Sequence, residues 1–177
     1  MSALNARAPK DWQRRLREVL PCVYACVGTD RSTGDSLGPL LGTLLSEAGV
    51  DYVFGTLSDP LHAGNLRERL PEIIRAAKEA RRPILAIDAA LGPFERIGAV
   101  SFGACPLAPG SGVGKDMPLF GDYSLVGTVN VSGFMEYVVL QNTSLGRVYA
   151  MAQEITGVIA PAHRAAREVA AAREARR

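Results

Sequence analysis

The sequence predicts an α/β protein, a three-layer αβα fold around a mostly parallel sheet, in one domain over residues 1–177. Three observations carry this. Short β-like runs at 22–27, 51–54 and 83–88 alternate with two stretches of helical spacing, giving a β-α-β-α-β order. The first and third runs are apolar almost throughout, the pattern of strands covered on both faces. Such an order favours parallel pairing through right-handed crossovers.

Residues 1–9 read as a loose end. Residues 10–20 predict a short helix, with Trp12, Leu16, Val19 and Leu20 on one stripe and arginines opposite, ended by Pro21. The run CVYACV, 22–27, is the first strand, and a glycine follows it. Residues 36–48 resume helical spacing through Leu37, Leu40, Leu41, Leu44 and Leu45 and close at Gly49. A second strand at 51–54 precedes a charged helix at 63–81, with Leu66, Leu70, Ile73, Ile74 and Ala77 inward. The third strand, 83–88, ends at Asp88. Residues 92–128 are rich in glycine and proline, with β-like runs at 98–103 and 123–129 around a long loop, a kind of loop that is usually functional. Residues 132–157 predict one long helix capped by Ser132. The tail, 158–177, offers only alanine for an apolar face. It reads as frayed or solvated, which leaves the core at about 20–157 and His163 exposed.

Composition narrows the function. With 47% apolar and 21% charged residues, the chain is neither disordered nor a collagen. A net charge of +2 is too balanced to point to nucleic acid. Three cysteines are too few, and odd in number, for a secreted disulfide framework. Cys22 and Cys26 are spaced CxxxC rather than CxxC, and on a strand they share one face, as two buried thiols. No run approaches the ~18 apolar residues of a membrane span, and the N-terminus has no signal-peptide core. A cytoplasmic protein with no membrane and no nucleic-acid partner is expected.

Chemistry in an open parallel sheet lies beyond the carboxyl ends of its strands, at the switch in strand order. The loop after the first strand, GTDRSTGDSLGPL (28–40), carries Asp30 and Asp35, and the third strand ends at Asp88. If those strands are neighbours, Asp88 and a first-loop acid converge. Two close carboxylates cannot both ionise easily, so the pair shares a proton and activates a water, or else holds a divalent metal. Asp35 or Ser36 could instead cap the helix that follows. His62, in DPLHAGNL, lies between a strand and a helix, where a histidine serves as a ligand or as a structural hydrogen-bonder. Gly110, Ser111, Gly112 and Gly114 resemble a phosphate loop, but Asp116 follows Lys115 where a P-loop needs serine or threonine. GxGxxG and GxSxG are absent.

The segments together resemble a known family. Gly28, Asp35 and Leu37-Gly38-Pro39 have the spacing of the first loop in the germination protease of spore-forming bacteria. IDAALG is similar to the strand carrying that protease's second aspartate, and PGSGVG (109–114) to its glycine loop. The smaller YyaC-type sporulation proteins are resembled more closely still, through GTDRSTGDSLGPL, IDA-LG and VNVSGFMEY. Both groups share a phosphorylase/hydrolase-like αβα fold with the hydrogenase maturation peptidases, in which acids at the Asp35 and Asp88 positions contact nickel together with a later histidine. The resemblance implies a sporulation-associated peptidase with Asp35 and Asp88 as its catalytic pair and Asp30 and His62 in support. The loop with Gly110, Ser111, Gly112 and Gly114 lines the substrate cleft, and the partner is a protein or peptide, with spore proteins the first candidates. No cofactor is required in that reading. A divalent metal on Asp35, Asp88 and His62 is one alternative, and a non-catalytic factor that kept the fold is another.

Overall fold

The computed structural model describes residues 11–109 and 118–174. Helix α1 is Asp11–Val19 and strand β1 is Val23–Cys26. A 3-10 turn, Gly34–Ser36, leads into α2, Leu37–Glu47. Then come β2 (Val53–Phe54), α3 (Leu66–Ala80) and β3 (Ile84–Gly92). After a second 3-10 turn, Phe94–Arg96, follow β4 (Val100–Gly103), β5 (Tyr123–Val131), α4 (Glu136–Gln141) and α5 (Leu145–Glu174).

The sheet has five strands in the order β2-β1-β3-β5-β4. β1 pairs in parallel with both β2 and β3, β3 pairs in parallel with β5, and only β4 at the edge is antiparallel. The expected mostly parallel sheet, with the first and third strands adjacent, is what forms. Strand alternation explains the layers. Along β1 and the residue at each end of it, Cys22, Tyr24 and Cys26 join the core made with α1, α2 and α5, while Val23, Ala25 and Val27 join the core made with α3. Both expected thiols are therefore buried on one face, and desolvation pushes each up to about 12. No helix among the described residues is long and apolar enough to cross a membrane.

Several expectations need correction. The single helix over 132–157 is two. Thr143 Oγ1 donates to Val139 C=O and Asn130 Nδ2 donates to Thr143 Oγ1, so the chain turns at 142–144, and Ser144 Oγ accepts the Arg147 N–H as α5 begins. Ser132 caps nothing, because α4 starts four residues later after Met135, held at φ 57°. From 158 to Glu174 the tail continues α5, through Pro161, rather than fraying. His163, expected in solvent, is fully buried, with Nδ1 3.1 Å from the Tyr24 hydroxyl and Nε2 3.4 Å from Asp51. Asp51 also pairs with Arg82 and Arg167. β3 extends four residues beyond Asp88, the end that its apolar run predicts.

Candidate functional site

The chain leaves β1 through α2 on one face of the sheet and returns to β3 through α3 on the other. The switch in strand order thus falls between β1 and β3, where such sheets open a crevice. Both candidate acids belong to this place. The β1–β3 ladder ends at Cys26 opposite Ile87, closed by Val27 N–H donating to Ile87 C=O at 2.7 Å, and Asp88 is the next residue. Its Oδ1 accepts the N–H of Ala89 at 2.8 Å, which draws the carboxylate along the strand edge.

Asp35 sits in the 3-10 turn that packs on β3. Gly28 mounts that turn. Its N–H donates to Leu61 C=O at 2.8 Å, while Thr29 N–H donates to Asp35 C=O at 3.1 Å. Gly28 has φ 151°, and a Cβ there would run into the Asp35 carbonyl, so only glycine closes the loop this tightly. Leu140 of α4 lies over Gly34 and roofs the turn. Burial lifts the Asp35 carboxyl above the usual carboxylate range, and the nearby Ser32 hydroxyl pulls it part of the way back. Ser32 is itself buried, and its Oγ has no partner in full hydrogen-bond geometry among the described residues. The helix-cap alternative is not what the turn does: neither Asp35 nor Ser36 caps α2, and Ser36 Oγ donates back to Thr33 C=O.

His62 follows Leu61, which bridges to Val27, so it too lies at the carboxyl end of the sheet. Its Nδ1 accepts the Gly64 N–H at 3.1 Å, which puts the neutral ring's proton on Nε2. The His62 N–H is held by Asn65 Oδ1 as α3 begins. Asp30 is exposed at the tip of the first loop. Gly110, Ser111, Gly112 and Gly114 lie outside the described residues. Among the described residues no three His, Cys, Asp or Glu side chains form a group that could hold a metal ion, so the alternative set of Asp35, Asp88 and His62 is not assembled. The nickel chemistry implied by the hydrogenase-peptidase resemblance therefore does not fit these residues. Ser32 and Leu140 are not among the residues the sequence singles out: Ser32 sits inside the first-loop motif but draws no notice there as a small polar residue, and both matter only because the turn folds against them.

Residues 4–158 match a family described as "Protein of unknown function (DUF1256)". The chain is similar to the "Uncharacterized protein YyaC" of Bacillus subtilis (strain 168), 50% identical over 160 residues, with 86% of this chain and 77% of that protein covered. Among solved structures it is similar to the [NiFe] hydrogenase maturation protease HycI from Thermococcus kodakarensis KOD1. The TM-score is 0.56 over 85% of this chain and 99% of that one, at 14% identity, a likeness of fold. The matched segment contains the first loop, both acids and the whole sheet, and on that match the chain belongs to the DUF1256 family.

Proposed function

We propose that this protein is a peptidase of the germination-protease kind, acting in sporulating cells, with Asp35 and Asp88 as its catalytic pair. The observation that carries the reading is the half-buried Asp35 carboxyl, raised above its usual range, on the turn that packs against the strand bearing Asp88. A carboxyl that holds its proton more readily can act as the acid while its neighbour acts as the base. The ionised carboxylate takes a proton from water, and the oxygen attacks the peptide carbonyl. The protonated carboxyl then gives its proton to the leaving amine, and the C–N bond breaks. His62, with its proton on Nε2, and Asp30 shape the approach. The fold shared with a maturation protease supports a peptidase, while the sporulation setting rests on the sequence resemblance.

The test is cleavage of small acid-soluble spore proteins, followed by unbiased peptide libraries. Asp35→Asn and Asp88→Asn should each abolish cleavage, since each removes a general acid or base worth about 10²–10⁴-fold. Both variants should stay folded, because an amide of the same shape fills each site. A wild-type protein that cleaves nothing, with or without divalent metal, overturns the peptidase reading in favour of a binding factor.

A further inference from the structure

β3 outruns its neighbour on one side. On the β5 side its pairing continues to Gly92 opposite Val131, whereas on the β1 side it stops at Ile87. In a parallel ladder alternate residues aim their main-chain groups at the same neighbour. Ile87 faces β1, so Ala89 is the next residue to do so. Its N–H has no strand to meet and goes to Asp88 Oδ1 instead. Among the described residues no loop main chain bonds to Ala89 or Leu91. The irregularity between Ala90 and Leu91 adds its extra residue, Val129, to β5, away from this edge.

The same end of the sheet is apolar and exposed. Phe94, two residues past β3, is 75% exposed. Ser132 N–H donates to Gly92 C=O, which carries the β3–β5 pairing to its last residue, so the segment after β5 starts at the same end of the sheet. That segment shows Phe134, 90% exposed, then Met135 and Tyr137, both exposed. Large apolar side chains this exposed at one end of a sheet are candidates for contact with a docked chain.

We propose that this edge binds substrate as an added strand: an extended, unfolded polypeptide segment with apolar side chains, laid beside β3 from Asp88 to Gly92. The inference deepens the peptidase reading and rests on it. An open strand edge offers unpaired main-chain groups, and the partner that matches such a row is another extended backbone. Main-chain pairing is indifferent to sequence, so selection falls on extension and on apolar side chains that reach Phe94 and Phe134. A folded domain has its backbone already paired and is rejected. Asp88 holds the first donor of this edge, so the added strand runs past the carboxylate that the reaction uses.

The probe is reduced, carboxymethylated α-lactalbumin, a permanently unfolded chain, with native disulfide-bonded α-lactalbumin as the folded control. Binding is measured on the Asp35→Asn variant, so that cleavage does not interfere, and hydrogen exchange is followed at residues 88–92. The unfolded chain should slow exchange there about tenfold or more, while the native form should not. Phe134→Ser, at an exposed site, should weaken binding about tenfold. Failure of the unfolded chain to bind, or binding with no protection at 88–92, overturns the strand-addition proposal. Wild-type cleavage is assayed in parallel. Cleavage without edge protection refutes strand addition and keeps the peptidase; edge protection without cleavage by the wild type refutes the peptidase and keeps the edge.

Discussion

Replacing Gly38 with alanine tests how the Asp35 turn is mounted. Gly38 is the second residue of α2, three positions after Asp35. Alanine is ordinarily better than glycine inside a helix by about 0.5–1 kcal/mol, so propensity alone predicts a more stable protein. The packing reverses the sign. A Cβ at Gly38 would run into the Val27 carbonyl, and the next atoms it meets are main-chain atoms of Val27 and Cys26. Cys26 is the buried last residue of β1 and pairs with β3, and Val27 after it is held between Ile87 and Leu61, so these atoms cannot retreat. Forcing a methyl group into packed surroundings costs about 1–3 kcal/mol, and contact with backbone puts this case at the upper end. The net loss is about 2 kcal/mol, and at about 2–4 °C per kcal/mol the Tm falls by about 4–8 °C. Gly157 is the matched control. It is exposed on α5 with nothing within 4 Å of its would-be Cβ, so Gly157→Ala should gain about 0.5–1 kcal/mol. Calorimetry on the two variants and the wild type decides. A Gly38→Ala protein as stable as the wild type would refute the close approach of α2 to β1, and loss of stability in Gly157→Ala would refute an open, solvated position on α5.

Tyr24→Phe should cost about 1–3 kcal/mol in urea unfolding, because it leaves His163 Nδ1 buried without its hydroxyl partner; an unchanged midpoint would show that this bond contributes nothing. Burial holds the His163 imidazole below its usual range, outweighing the opposing pull of Asp51. The unfolded chain then takes up the proton more readily, so this group's contribution is complete above the ordinary histidine range and declines as pH falls through it. Unfolding midpoints measured from about pH 7.5 down to 5 should fall for the wild type and fall less for His163→Asn. Cys105 is exposed while Cys22 and Cys26 are buried with raised pKa values, so a thiol reagent should label one cysteine in the native protein and three after denaturation. Rapid labelling of a second thiol in the native state would mean that β1 opens.

The sheet was legible in the sequence because its signals are local. The apolar run at 22–27 and the helical spacing at 36–48 each report their own burial, and their alternation implies parallel neighbours. Asp35 and Asp88 could be named because a loop after one strand and the end of an adjacent strand must share an edge of the sheet. What the tertiary structure alone decided depends on partners far along the chain. The tail reads as frayed or solvated because its own apolar face is alanine, and its described residues past His163 are mostly exposed, yet Tyr24, 139 residues away, and Asp51 hold His163 in the interior and tie α5 down there. The break at 142–144 depends on Asn130 reaching Thr143 from β5. The open edge of β3 exists because β1 stops early, and a strand's own residues do not encode where its neighbour ends. Periodicity records how much of an element is buried, while the identity of what buries it is a property of the assembled fold.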